Sequence, residues 1–396
     1  MNTDDRKAKK ELAVIYAVFI MYFIHNGLNS FMPKYFGEIG ISDSQIGVIN
    51  AVAAIVSSLC QPFWGSLTDR VKYKKYIAMT AAFLSGGVYF LTGLTVKFVP
   101  VLIGISFISM VNMNFMPCMN AIALEHITKH RTGRLADFGI LRMMGTVGYQ
   151  TGALAIGLVL SGNLRSLLFV MGADLIAVLM LSFFLPNVEG HQNKGEKVSY
   201  FSLFRDRRVV MLMGMIFLAE ITQQFNQNFL TKLQGDLGMS NASTGIITFL
   251  SVGLELPICF FAYKIYKKFS MWTWLLIAFV VNALRWFAYS QATTSVQFIL
   301  IGLPGVTIMA CFELFPAFYL NEIISDKLKA SAQGMLSIFT FGLPKVVGCL
   351  AGGFIADNIG LQQVYFYCGI YLIILAAVFI VPCRKMTALD RKFGEQ

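Results

Sequence analysis

Charge is what this sequence has least of. Asp, Glu, Lys and Arg make up 13 % of its 396 residues, against roughly 25 % in a soluble domain, so a soluble surface of this size could not be covered. Four histidines and seven cysteines are thinly spread, and no C-x-x-C pair occurs. That excludes a disulfide framework and a zinc knuckle. No G-x-x-x-x-G-K-[ST] loop is present, which leaves an ion gradient rather than ATP hydrolysis as an energy source. His126 and His130 have the spacing of a metal pair but stand in a basic loop with no third ligand. With no nucleophile and base set either, neither a cofactor nor an enzyme is expected. The 35 Phe, 15 Tyr and 4 Trp exclude disorder.

The chain is rich in apolar length. Runs of about 20 to 27 mostly apolar residues, enough to cross a bilayer, fall at 12–36, 44–68, 76–96, 99–126, 138–161, 166–186, 209–233, 241–265, 272–290, 295–320, 329–356 and 361–383. Runs this long and continuous are not barrel strands, and backbone polar groups in lipid must be satisfied internally. They predict an all-α membrane protein with twelve transmembrane helices. The first run exceeds a signal-peptide core and lacks a small-residue cleavage site, so it reads as an uncleaved span.

The net charge of +11 would suit nucleic acid, yet its basic residues lie in short runs between apolar segments. No nucleic acid partner is expected, and the pattern reports topology instead. Of 32 Lys and Arg, 25 lie at the amino terminus, in alternate connections and in the carboxy-terminal tail, against four (Lys34, Lys97, Arg165 and Lys232) on the other side. Both termini are therefore expected in the cytoplasm, with the chain in a plasma membrane.

The polar stretch 187–208 divides the chain near its midpoint and predicts a bundle over 1–186 and a second over 209–396 with a short tail. Phe31, Lys34, Gly37, Gly40, Ser42 and Gly47 recur as Phe229, Lys232, Gly235, Gly238, Ser240 and Gly245, each 198 residues on. Six identities in seventeen positions predict two six-helix repeats. That is a transporter architecture, with a solute site at the repeat interface.

Between the second and third spans stands Gly65-Ser66-Leu67-Thr68-Asp69-Arg70-Val71-Lys72-Tyr73-Lys74-Lys75. Gly65 permits close helix approach, and Asp69, followed by Arg70, can meet cations or a helix amino terminus on a neighbouring span. The alternative is a positive-inside loop that carries an Asp. The run resembles the G-x-L-[ST]-D-[RK]-x-x-x-[RK]-[RK] loop of the major facilitator superfamily, which implies a gating role for Gly65, Asp69 and Arg70. The corresponding run from Ala262 to Lys268 keeps the charge but lacks the Asp. Any latch is expected to be asymmetric.

Ionisable residues inside spans are costly and are functional candidates. Here they are Glu125, Arg142, Asp174, Glu220, Glu255, Arg285, Glu313 and Lys345. Glu125 and Arg142, on neighbouring antiparallel spans, can pair or can grip hydroxyl groups, and Tyr149 lies two turns beyond Arg142 where its ring could stack on a sugar or base. An inter-helix salt bridge with Tyr149 in the core is the other reading. His25 and Asn26 correspond to Gln223 and Gln224 at the 198 offset. These side chains can hydrogen-bond a solute or one another.

Arg142-x-x-Gly145-x-x-Gly148-Tyr149 following Glu125 resembles the lactose permease branch of oligosaccharide:proton symporters, and is similar to the wider group with nucleoside:proton symporters. Gln61-Pro62-Phe63-Trp64-Gly65, Leu284-Arg285, Phe312-Glu313-Leu314-Phe315-Pro316 and Lys345 extend the likeness along nearly the whole chain. The resemblance implies that Glu313 carries a proton and Arg285 helps release it, with Glu255 in place of the span-eight carboxylate. A permanent Glu313 and Arg285 pair is the alternative. The sequence also departs from the pattern: Thr307 and Ala310 replace a Lys and a His, and Thr222-Gln223-Gln224 replaces the span-seven aspartates. The expectation is a monomeric, proton-coupled symporter that imports a small polar solute, a sugar or oligosaccharide, by alternating access. A nucleoside or aromatic-acid symporter is one alternative and a non-transporting membrane sensor another.

Overall fold

Polar residues start several of the helices, and proline interrupts others. The structure, a computed structural model, describes residues 3–130, 138–188, 205–253, 255–325 and 328–394. The elements of these residues are all helical. The first part comprises α1 (Thr3–Asn29), α2 (Met32–Glu38), α3 (Asp43–Arg70), α4 (Lys75–Gly93), α5 (Phe98–Asn112), α6 (Phe115–His130), α7 (Phe138–Val159) and α8 (Leu167–Ser182). Then come α9 (Arg207–Asp236), α10 (Asn241–Gly253), α11 (Glu255–Tyr266), α12 (Met271–Gln291), α13 (Ser295–Gly302), α14 (Val306–Ile308), α15 (Phe315–Ile323), α16 (Lys329–Ser337), α17 (Leu343–Ile359) and α18 (Leu361–Gly394).

Nine stretches among the described residues are long and apolar enough to cross a membrane. Of the other three runs in the sequence, 138–161 corresponds to α7, 166–186 holds the shorter α8, and 241–265 divides into α10 and α11 around residue 254. The fold is thus a multi-pass helical membrane protein, and Leu59, Phe184 and Phe354 stand exposed where lipid would cover them.

Ser42 and Gln45 form a reciprocal cap at the start of α3, as Thr294 and Gln297 do at α13. Each pair satisfies two backbone N–H groups that a helix start leaves open. The turn before α3 then recurs. Gly40 and Gly238, 198 residues apart, both take left-handed φ, at 82° and 74°. Ile41 donates its backbone N–H to Phe36, and Met239 donates to Gln234, at 2.9 Å in both cases. A left-handed residue at this place closes the helix carbonyls at little cost when it is glycine.

Two π-helical turns break the tenth and eleventh runs, at Met309–Leu314 and Ile338–Gly342. Each precedes a proline, Pro316 in the first turn of α15 and Pro344 in the first turn of α17. Proline has no N–H to give the residue four before it and crowds that carbonyl, so the ladder widens there.

By contacts the described residues fall into two units. Those of Met1–Gly195 with Gln234–Phe249 form one, and those of Glu196–Leu233 with Leu250–Gln396 form the other. In the first unit α1 packs on α7, α4 on α8 and α3 on α5. Gly148 and Gly152 lie against the carbonyls of Ile20 and Ile24, so α1 and α7 run in a parallel register with a constant offset of 128. In the second unit α12 packs on α18, around a core that includes Trp272, Trp286, Tyr289 and Tyr365.

Candidate functional site

In the first unit the candidate residues lie at two depths. Near the amino-terminal end of α1, a cavity of about 340 Å³ is lined by Lys7, Glu11, Glu125, His126, Lys129 and Asn187, among others. Glu125 Oε2 stands 3.9 Å from Lys74 Nζ, and His126 Nδ1 stands 3.6 Å from Glu11 Oε2. His126 is thereby tied to α1, since its Nε2 also meets the Ala8 carbonyl at 3.1 Å. The α1 and α7 register puts the backbone of Arg142 level with Val14, close to this end. The side chains of Arg142, Glu255, Gly65 and Asp69 lie outside the described residues; Arg70 is exposed.

His25 is about 20 Å further along α1 than Glu11, at the helical rise of 1.5 Å per residue. It is 2 % exposed and its Nδ1 stands 3.3 Å from Asp174 Oδ2 on α8. Its ring lies against Tyr22 and edge-on to Tyr89. Tyr149 belongs to this depth through its backbone, whose carbonyl lies where a Cβ on Gly27 would fall. Asn26 is half-buried beside His25 on α1.

In the second unit the amides of α9 are mostly occupied. Gln224 Nε2 donates to the Thr340 carbonyl at 3.2 Å and approaches Glu220 Oε2 at 3.5 Å. That carbonyl is the one Pro344 deprives of its helical donor, so Gln224 supplies what the π-helical turn leaves open. Asn226 accepts from the Tyr365 hydroxyl at 3.1 Å, and Thr222 accepts from the Trp286 indole at 3.0 Å. Gln223 Oε1, Glu220 Oε1 and the Thr340 hydroxyl are buried without a hydrogen-bond partner.

Arg285 spends its guanidinium locally. Nε donates to the Ile301 carbonyl at 3.0 Å and Nη1 to Asn282 Oδ1 at 2.8 Å, with the group over the rings of Trp286 and Tyr289. Glu313 sits half-buried in the π-helical turn of Met309–Leu314, and the buried Glu220 lies within electrostatic range of it. Asp174 and Glu220 were visible in the sequence only as acids in apolar runs. The partner of Asp174, His25, comes from another helix and no local spacing signals it, whereas Glu220 is approached by Gln224 one turn on along α9.

Comparison with known proteins fits this architecture. The chain is 24 % identical to the maltose permease of Geobacillus stearothermophilus over 392 residues, covering 96 % of this chain and 95 % of the permease. It is 24 % identical over 377 residues to the putative nucleoside transporter YegT of Escherichia coli (strain K12), covering 88 % of this chain and 85 % of that protein. Among solved structures, the crystal structure of the nucleoside transporter NupG superposes with a TM-score of 0.83 at 18 % identity, over 94 % of this chain and 98 % of that one. Residues 11–367 match the MFS_1 like family, so the chain belongs to that family, in the branch of the major facilitator superfamily that holds sugar permeases and nucleoside transporters.

Proposed function

We propose that the chain is a proton-coupled symporter that imports a small polar solute, a sugar or oligosaccharide, by alternating access of two six-helix halves, 1–186 and 209–396, joined by 187–208. In this reading it has twelve spans in the plasma membrane, both termini are cytoplasmic, and it works as a monomer. Glu313 carries the proton. The observation that supports the reading is a carboxylate, Glu220, buried at 1 % exposure in an apolar bundle, with the half-buried Glu313 of a π-helical turn within electrostatic range. Two carboxylates in one water-poor site cannot both hold charge cheaply, so the pair takes up a proton and gives it back when water or a cation reaches it. Arg285, one helix away in sequence order, is the cation for that step, and Glu255 assists.

Glu125, Arg142 and Tyr149 are the proposed solute contacts of the amino-terminal half, with His25 and Asn26 behind them. Gln223 and Gln224, which correspond to His25 and Asn26 at the 198 offset, are the proposed contacts of the other half, and the unpartnered Oε1 of Gln223 favours it over Gln224 as the group left for a solute. Gly65, Asp69 and Arg70 form the cytoplasmic gating loop. The family supports a small-molecule solute, and its relatives include a maltose permease and a putative nucleoside transporter. A nucleoside symporter of the same fold is therefore the second reading.

Solute-induced proton entry decides between them. Proteoliposomes loaded with a pH dye and given maltose, lactose or a nucleoside should acidify inside with one class of solute. If none moves protons, proton symport is wrong. Glu313→Gln should lose uphill uptake and keep exchange, whereas Arg142→Ala should lose binding; the reverse pattern would exchange the two roles.

A further inference from the structure

The turn that recurs at an offset of 198 is gripped by its own counterpart. Lys34 belongs to the first copy. Its stem lies across Gly235 and its Nζ donates to the Met239 carbonyl at 2.7 Å, and these two residues stand in the second copy where Gly37 and Ile41 stand in the first. Beside this contact, Asn241 Nδ2 donates to the Leu160 carbonyl at 2.6 Å. The backbones also close up, since a Cβ on Gly157 would stand 2.5 Å from the Asn241 carbonyl and one on Gly245 2.8 Å from that of Ala153. Residues 234–249 are thereby bound into the first unit, although the chain on either side of them belongs to the second.

We propose that this segment is a clasp on the membrane face away from both termini, with Lys34 as the group that sets its strength. It holds to the first unit while that face is shut and leaves it when the face opens. The proposal rests on the alternating-access reading above and assigns one of its gates to a lysine that joins the two copies of the repeated turn.

Lys34 suits a contact that must be both made and broken. It is 5 % exposed, and its ammonium is held by neutral acceptors, the Met239 carbonyl and, at 3.4 Å, the Thr244 hydroxyl. The carboxylate one turn on, Glu38, accepts from the Leu164 N–H at 2.7 Å, which ties α2 to the connection between α7 and α8 and not to the segment that leaves. A cation held in this way has given up water for neutral partners and regains its hydration on release, so the bond closes the face without locking it. The glycines serve the same end, because backbone lying on backbone leaves no interdigitated side chains to draw apart.

The test needs neither solute nor a proton gradient, so its failure and the failure of proton symport are distinguishable. Thr244, buried at 0 % exposure against the Lys34 ammonium, is replaced by Cys as a reporter in the full-length protein. Intact cells are treated from outside with a membrane-impermeant maleimide, with the labelling of the wild-type cysteines as baseline. Thr244→Cys alone should label slowly. Adding Lys34→Met should speed labelling about tenfold or more, as loss of one hydrogen bond from a charged group would, while the native buried Cys118 of the same unit stays unlabelled. An equal rate with and without Lys34 overturns the clasp. Labelling of Cys118 alongside the reporter overturns it too, since the unit would then be unfolding and not opening. Should Lys34→Met not fold, Asn241→Ala, which cuts the contact with Leu160, takes its place: a faster reporter supports the clasp and an unchanged one overturns it.

Discussion

Lys34 lays its aliphatic stem across Gly235 and donates from Nζ to the Met239 carbonyl at 2.7 Å. The ammonium also reaches the Thr244 hydroxyl at 3.4 Å, and the side chain is 5 % exposed. Lys34→Met keeps the stem and removes the donor, and a hydrogen bond from a charged group is worth about 1.5–3 kcal/mol. The melting temperature of the solubilised protein should fall, and Gly235→Val, which pushes the stem aside, should lower it too. An unchanged melt in Lys34→Met would mean that the bond contributes nothing net.

Gly148 and Gly152 should be intolerant of side chains. A Cβ on Gly152 would stand 2.5 Å from the Ile24 carbonyl and one on Gly148 2.7 Å from that of Ile20, and backbone cannot swing away as a flexible side chain can. Small residues let helices approach in membranes. Gly152→Val should leave little monodisperse protein in size-exclusion chromatography, whereas Gly87→Ala, with open space around it, should behave as wild type.

Arg285→Lys should not be conservative. The planar fork that reaches both Ile301 and Asn282 cannot be copied by an ammonium, nor can its stacking on Trp286. Losing one charged hydrogen bond, at about 1.5–3 kcal/mol, should cut uptake about tenfold or more while the protein still folds. Full uptake in Arg285→Lys would remove the guanidinium geometry from the mechanism.

Acid should weaken the second unit at its amino-terminal edge. Asp206 is partly buried, which alone would raise its carboxyl, but hydrogen bonds from the Arg208 guanidinium and from the backbone N–H groups of Arg208 and Val209 outweigh this and hold it below the ordinary carboxylate value. A group depressed in the folded state stabilises it above the unfolded value, and that stability is lost as pH falls through the folded one. Melting temperature should therefore decline below about pH 4, with a shallower decline in Asp206→Asn. Identical acid limbs would sink the assignment.

The helical class and the turn that recurs at an offset of 198 were legible because they are written in local terms. Apolar length gave the spans, and the recurrence of Gly40 at Gly238 named a turn whose backbone geometry is the same at both places. Prolines were equally readable, since Pro316 and Pro344 mark where the π-helical turns end. The site was legible only as a set of candidates. Gln223 and Gln224 are adjacent and alike in sequence, yet one amide fills the carbonyl freed by Pro344 and the other keeps an unpartnered oxygen.

The same division holds for the charges. Sequence alone determined that this is a helical membrane protein of the facilitator kind, because burying a backbone in lipid permits few solutions and a few acids and bases inside spans demand a reason. Tertiary structure decided which of them meet: His25 with Asp174, Glu220 with Gln224, and Arg285 with an amide, a carbonyl and two rings. Those partners are set by helix register and by where glycine and proline let helices approach or bend, which no single segment encodes.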